Sequence, residues 1–311
     1  MQNLDFSKPL VLLAPLAGYT DLPFRYIAKK FGADLTISEM ISSNALVHNS
    51  KKTLKMLEKS SNEDPYFVQL SGNDETIIKD AVQILNEIDG ITGIDLNCGC
   101  PAPKVFNHGS GSSLLNDLKK LEKILSTIKL NSKKKYTSAK IRIGVVEKKP
   151  IEISKAVEAC GVDFMCVHGR TRAGGYKSQV DYDAIKDIKL NVSVPVIANG
   201  DIKDLTKAKE VLNFTKADGL MIGRGAIGKP WIFHQIKNNE EEITPLLKAQ
   251  IVQEHFSKML EFYEDYGVVL FRKHLHTYSK GLNGANEFRQ KINKISNPQE
   301  VKKLLEDFFI F

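Results

Sequence analysis

The chain has 311 residues, 42% of them apolar and 26% charged, with 44 lysines and arginines against 37 aspartates and glutamates for a net charge of +7. That balance excludes a disordered or collagen-like chain, and no apolar run of membrane-spanning length is present. The mild basic excess suits a polyanionic partner. The opening residues, Met1 to Asp5, carry no basic patch followed by an apolar stretch, so no secretory leader is expected. Four cysteines are too few to staple a chain of this length. The expectation is a cytoplasmic protein with reduced thiols, monomeric and without a membrane anchor.

In chain order, eight short apolar runs alternate with stretches of helical period. The runs are Leu10–Ala14, Leu35–Glu39, Tyr66–Leu70, Gly93–Asn97, Ala139–Ile143, Phe164–His168, Val194–Ala198 and Leu220–Gly223. Helix-like segments fall at Leu22–Phe31, Asp74–Ile88, Asp117–Leu130, Ile151–Cys160 and Leu205–Asn213. Asp74, Asp204 and Pro150 supply start signals and Gly32 and Gly161 stop signals. Near-continuous apolar strands alternating with helices indicate a buried parallel sheet. Eight units predict a (β/α)₈ TIM barrel, with a doubly wound open sheet as the other arrangement.

Beyond Gly228 the pattern changes. Helical periodicity runs through Leu246, Ile251, Phe256 and Met259, then Val269, Leu275 and Tyr278, then Val301 and Leu305. The polar stretch Lys237–Glu242 reads as a connector. The expected organisation is a barrel over residues 1–240 and a small all-helical domain over 241–311.

A barrel gathers its chemistry where strands end. Those positions hold Ala14-Pro15, Glu39-Met40, Gln69, Asn97 to Pro101, Lys140 with Arg142, His168 to Arg170, Asn199-Gly200-Asp201 and Gly223-Arg224. Any one of these polar residues alone is adequately explained as a cap or turn former; the convergence of all of them is not. Glycines after the last two strands allow backbone N–H groups to approach an anion, and barrels often hold a phosphate there. Gly223–Gly228 matches the dinucleotide pattern G-x-G-x-x-G, but no later strand follows, so that reading is discarded. Cys98 and Cys100 lack a second pair at zinc-site spacing, and no metal is expected. Cys98 reads as buried and inert. Cys100, beside Pro101 on a loop, is mostly protonated at neutral pH, which suits a proton donor as well as a nucleophile.

These residues together resemble the bacterial tRNA-dihydrouridine synthases, most of all their B subgroup. The resemblance rests on Ala14 to Arg25 (APLAGYTDLPFR), Ser38-Glu39-Met40, Gln69 to Gly72, Asn97 to Lys104 (NCGCPAPK), Lys140 to Gly144, His168 to Arg172, Asn199 to Asp201 and Gly223 to Gly225. In the helical part it takes in Arg272-Lys273-His274 and Lys280-Gly281. Leu16 stands where the family commonly has Met. The resemblance implies an FMN-binding barrel followed by a tRNA-binding helical domain. Pro15, Leu16 and Ala17 would lie along the flavin ring with Gln69 at its polar edge, and Lys140 would face the N1/O2 side. His168 and the backbone of Asn199, Gly200, Asp201, Gly223 and Arg224 would hold ribityl and phosphate. NADPH or NADH would reduce FMN, hydride would pass to C6 of a tRNA uracil, and Cys100 would protonate C5. Asn97 would orient the base, or serve only as a turn former; Lys104 and Arg142 would line the same rim. Arg272, Lys273 and Arg289 are candidate tRNA contacts. Two alternatives remain: a flavin enzyme reducing a free pyrimidine, and a non-catalytic tRNA-binding protein. A phosphosugar lyase or aldolase on the same barrel is a third.

Overall fold

A computed structural model describes residues 3–309. Met1 and Gln2 of the N-terminal run, and the last two residues, lie outside them. The strands are β1 (Leu10–Leu13), β2 (Thr36–Ile37), β3 (Ile41–Ser42), β4 (Tyr66–Ser71), β5 (Gly93–Cys98), β6 (Tyr136–Arg142), β7 (Phe164–His168), β8 (Val196–Asn199) and β9 (Gly219–Ile222). They pair in parallel in the order β1-β9-β8-β7-β6-β5-β4-β2, with β3 a short addition on β4. Leu13 N to Leu35 O (3.0 Å) and Asp34 N to Val11 O (2.8 Å) join the two ends of that order. The result is the expected TIM barrel. Around it stand α1 (Leu22–Lys30), α2 (Ser43–Val47), α3 (Lys51–Leu57), α4 (Glu75–Asn86), α5 (Pro103–Asn107), α6 (Leu118–Asn131), α7 (Pro150–Ala159), α8 (Tyr182–Asn191), α9 (Leu205–Thr215) and α10 (Ile232–Asn238). Four more helices follow: α11 (Pro245–Tyr263), α12 (Tyr266–Tyr278), α13 (Ala285–Ile292) and α14 (Pro298–Phe308). No helix among the described residues is long and apolar enough to cross a membrane.

Most helices begin as the sequence dictates. Asp74 accepts from Ile77 N and Asp204 from Lys207 N, each satisfying an amide that the first turn leaves orphaned, and Pro150 opens α7. The sequence reading differs in detail elsewhere. The fifth run begins three residues early, at Tyr136, because polar Thr137 and Ser138 are buried in the strand. The run at Leu35 shrinks to Thr36–Ile37. The proposed connector starts inside α10, whose last residue is Asn238. The short helices α2, α3, α5 and α10 and the helix α8 fall outside the helix-like segments named from the sequence.

Alternation sorts each strand into two faces. Val11, Leu13, Val68, Leu70, Ile94, Leu96, Ala139 and Ile141 face the helices. Leu10, Leu12, Phe67, Phe164, Cys166, Ile197 and Met221 fill the barrel. Moving up the same inward series, the side chains turn polar: Phe67 gives way to Gln69, Phe164 and Cys166 to His168, Ile197 to Asn199, and Tyr136 to Ser138, Lys140 and Arg142. The bottom of the barrel is therefore a packed core and the top a polar floor. A separate apolar cluster joins α11–α14 through Phe256, Met259, Phe271, Leu275, Phe288 and Leu305, and takes in Ile27 and Trp231 from the barrel side.

Candidate active site

The polar floor opens into a cavity of about 760 Å³. It is lined by Pro15, Leu16 and Ala17 after β1, Gln69 of β4, and Asn97 and Cys100 of the β5 segment. Lys140 and Arg142 of β6, His168 of β7, Asn199, Gly200 and Asp201 after β8, and Gly223 and Arg224 after β9 complete the sequence-predicted set in this cavity. Lys104 is not among the lining residues: it stands exposed on α5. Arg272, Lys273 and Arg289 lie on the helical part, each holding an internal bond. Arg272 Nη2 donates to Ile295 O (2.9 Å), Arg289 Nε to Ser279 Oγ (3.0 Å), and Lys273 Nζ to the Gly18 carbonyl of the barrel loop.

A hydrogen-bond chain with one possible polarity runs beneath the cavity. Buried Asp95 accepts from Ser138 Oγ (2.7 Å) and from Gln69 Nε2 (2.7 Å). A carboxylate only accepts, so Gln69 must turn its oxygen outward, where it accepts from Asn97 Nδ2 (2.7 Å). Asn97 Oδ1 then accepts from Gly99 N (3.1 Å) and Cys100 N (2.9 Å). Both ends of the thiol's loop are held, since Cys100 O accepts from Ser112 Oγ (2.8 Å) and Arg142 Nε donates to Gly99 O (2.7 Å). Gly111 packs so close that a Cβ there would meet Cys100 Cβ at 3.1 Å. Cys98, one residue before Gly99, is fully buried on the helix-facing side, with its thiol pushed up by burial. Sequence reasoning missed Asp95. Its only signal was its inward register two residues before Asn97.

Burial pushes the Asp95 carboxyl up to about 6, against the opposing pull of its two donors and of Lys140. The native chain therefore holds that proton more tightly than the unfolded one. The stability this contributes is complete below the ordinary carboxyl range, near 4, and is lost as pH rises through about 6. In Asp95→Asn the decline of Tm between about pH 4 and 6.5 should be shallower than in the wild type; an unchanged slope measured by calorimetry would remove Asp95 from this account.

The far end of the cavity is cationic. Asp201 accepts from Arg170 Nη1 (3.1 Å) and Nη2 (2.5 Å) and from Arg224 Nη2 (2.8 Å). Asp201 has φ +47° and Gly200 φ +138°, and a Cβ on Gly200 would meet Val180 at 2.8 Å. His168 is driven far below its usual range by burial and by Lys140, Arg142, Arg170 and Arg224, so it is a neutral imidazole. Its Nε2 lies 3.3 Å from Arg170 Nη1 and accepts from it, leaving Nδ1 as the donor. Lys140 donates to Asn199 Oδ1 (3.0 Å), while Asn199 Nδ2 is anchored to Met221 O (2.7 Å). Burial brings Lys140 down to about 8. Lys140, Arg142, Lys203 and Arg224 line the cavity, with Arg170 held on Asp201, and together they leave positive charge for an anionic ligand. Pro15–Ala17 give the same cavity an apolar wall that suits a flat ring, and Lys140 a cation for an electron-rich edge, so the donor set fits a flavin ring and its phosphate. Sequence reasoning gave no role to Arg170, which lies within the quoted His168–Arg172 segment.

Comparison with known proteins gives this arrangement its relatives. A family model described as dihydrouridine synthase matches residues 12–310. A probable tRNA-dihydrouridine synthase of Helicobacter pylori is 51% identical over 308 residues, covering 98% of this chain and 94% of its own. The tRNA-dihydrouridine synthase B of Proteus vulgaris is 39% identical over 311 residues, 97% of this chain and 96% of its own. Among solved structures, the old yellow enzyme of Trypanosoma cruzi superimposes with a TM-score of 0.55 at 10% identity, over 83% of this chain and 94% of that one. A 6-hydroxypseudooxynicotine amine oxidase of Pseudomonas geniculata gives 0.59 at 12% identity, over 80% and 50%. Those two likenesses show the barrel fold; the sequence relatives go further, and on them the chain belongs to the dihydrouridine synthase family.

Proposed function

We propose that this protein is a cytoplasmic, monomeric tRNA-dihydrouridine synthase that uses FMN, reduced by NADPH or NADH, to saturate the C5=C6 bond of a tRNA uracil. When bound, FMN supplies the hydride that C6 receives. The chain's own residues do the rest. Cys100 gives its thiol proton to C5, general-acid work for which its loop is clamped at Asn97, Ser112 and Arg142. Lys140 stands where a cation offsets charge gathering on the ring's N1/O2 edge. Arg170, Arg224 and neutral His168 hold the phosphate end. Asn97 is committed through Oδ1 to the Cys100 loop and through one amide hydrogen to Gln69, so only its second hydrogen is left for the base. Residues 1–240 form the catalytic domain, and 241–311 the tRNA-binding domain that presents Arg272, Lys273 and Arg289. An extruded uridine costs a few kcal/mol of unstacking, least in a loop.

The observation that carries this reading is a thiol braced on both sides within a cavity whose other walls are apolar at one end and cationic at the other. The test is anaerobic. The protein is reduced, freed of excess reductant, and its flavin absorbance followed after adding unmodified tRNA or free uridine. Rapid reoxidation by tRNA alone is expected; reoxidation by a free pyrimidine alone would sink the reading.

The polarity of the Asp95 chain yields a sharper result. In Asp95→Leu the acceptor shared by Ser138 and Gln69 is gone, so nothing holds Gln69 with its oxygen toward Asn97. A Gln69 free to turn sets its amide against that of Asn97, a donor–donor mismatch that loosens Asn97 from the N–H groups of Gly99 and Cys100. One such mismatch costs about 1–3 kcal/mol, or roughly 10- to 100-fold in single-turnover rate. A rate within twofold of the wild type, with flavin bound, would show that the chain does not position the thiol.

A further inference from the structure

Outside the cavity, three metal-ligating side chains from distant parts of the sequence meet in the interior. Asp21 stands at the N-cap of α1, His255 on α11 and His274 on α12, all buried, with ligand atoms within 4.8 Å of one another. The surroundings are otherwise aromatic. Phe24 stacks on His274 at 5.4 Å, Phe271 stands edge-on to His255 at 4.8 Å, and the two imidazoles meet edge-on at 4.7 Å.

The imidazole nitrogens decide what this cluster is for. His255 Nε2 and both nitrogens of His274 are buried without a hydrogen-bond partner. Buried polar atoms normally have partners, and three orphans in one cluster are unusual. His255 Nδ1 lies 3.0 Å from the Tyr278 hydroxyl. In the tautomer whose Nδ1–H donates to that hydroxyl, the Nε2 lone pair is free for a ligand, as a metal-ligating histidine is usually held from behind. One Asp21 oxygen caps Phe24 N at 3.2 Å, and Tyr263 lies beside the carboxyl as a candidate fourth group.

The geometry points to a structural divalent-metal site, with zinc as the fitting ion, ligated by Asp21, His255 and His274. Two imidazoles and a carboxylate are a borderline donor set of the kind zinc takes, at about 2.0–2.2 Å from each atom. Side-chain rotation would draw the three ligand atoms inward to reach those distances. Of the cations that act on Asp21, Lys273 is drawn off to the Gly18 carbonyl and Arg25 is paired with Glu63, while Glu39 adds negative charge nearby. The absence of zinc-site cysteine spacing has no bearing on this cluster, which contains no sulfur. Its place gives it a purpose: Asp21 lies four residues beyond Ala17 of the cavity wall, so the ion fastens that loop to α11 and α12. The site is independent of the flavin reading, and a protein that reduced nothing would still bind the ion.

The test uses the full chain. Protein is stripped with a chelator, dialysed, and titrated with zinc chloride, with metal content, Tm and zinc-edge X-ray absorption as readouts. One zinc per chain, a Tm that falls on stripping and returns with zinc, and a nitrogen/oxygen shell with two imidazoles are expected. His274→Gln and His255→Gln should each weaken zinc binding by more than the roughly 100-fold that loss of an outer-shell partner costs, whereas Cys100→Ala should bind it normally. Zinc well below one per chain, a Tm indifferent to stripping, sulfur in the shell, or retention of the ion by His274→Gln would each overturn the proposal. Where a histidine variant fails to fold, the absorption spectrum and Tm of the wild type decide.

Discussion

Cys100→Ala is expected to bind FMN as the wild type does and to lose about 10²- to 10⁴-fold in the rate at which tRNA reoxidises the reduced protein, the usual worth of a positioned general acid. The substitution is clean for a structural reason. Asn97 and Ser112 hold residue 100 through its backbone N–H and carbonyl, not its sulfur. Alanine keeps both bonds and removes only the proton donor. The residues proposed to contact the flavin follow other strands, so the absorption spectrum should not move. Single-turnover mixing with tRNA measures the step directly, and a rate within a few-fold of the wild type would show that C5 takes its proton elsewhere.

How far the sequence reached depended on the distance over which its signals act. The eight-unit barrel and the list of cavity residues were legible because both follow from a local rule: short apolar runs alternating with helical stretches, with polar residues and glycines where each run ends. Pro15, Gln69, Lys140, His168 and Gly223 could each be placed from their own run. Lys104 could not, because α5 turns it away from the rim three residues beyond Pro101. The short helices α2 and α3 span too few turns for a periodicity to register. Interactions between strands were hidden altogether. Asp95 looks like one more strand residue until Ser138 and Gln69 are seen on either side of it. The Arg170–Asp201–Arg224 group joins three separate loops, and His255 and His274 reach Asp21 from the other end of the chain. Such pairings are products of the barrel's closure and leave no spacing to read.

A second large effect lies in stability. Arg25 of α1 is 1% exposed and Glu63 0%, with Arg25 Nε at 2.7 Å from Glu63 Oε1. Each partner is satisfied beyond the pair. Arg25 also donates to Thr20 O (3.1 Å) and Glu58 O (2.6 Å) and lies over the Tyr66 ring at 4.9 Å. Glu63 accepts from Thr36 Oγ1 (2.7 Å), Ser60 N (2.9 Å) and Ser60 Oγ (3.0 Å). Arg25→Met keeps most of the volume but strands a carboxylate with no counter-charge in a dry site, which costs about 3–5 kcal/mol. Lys133 and Glu87 make the opposite case. Their side chains are 75% and 76% exposed at 3.3 Å, so Lys133→Ala should change stability by less than about 1 kcal/mol. Urea unfolding of both variants tests the contrast, and a loss below about 1 kcal/mol in Arg25→Met would show that Glu63 takes up a proton or finds water instead. The double variant Arg25→Met, Glu63→Met separates the charge from the packing, because removing both partners leaves no stranded ion. It should recover much of what the single variant loses. If it does, the pair's worth lies in holding the Glu58–Glu63 loop against the first turn of α1, the turn that Asp21 caps and from which the Pro15–Ala17 wall of the cavity is hung.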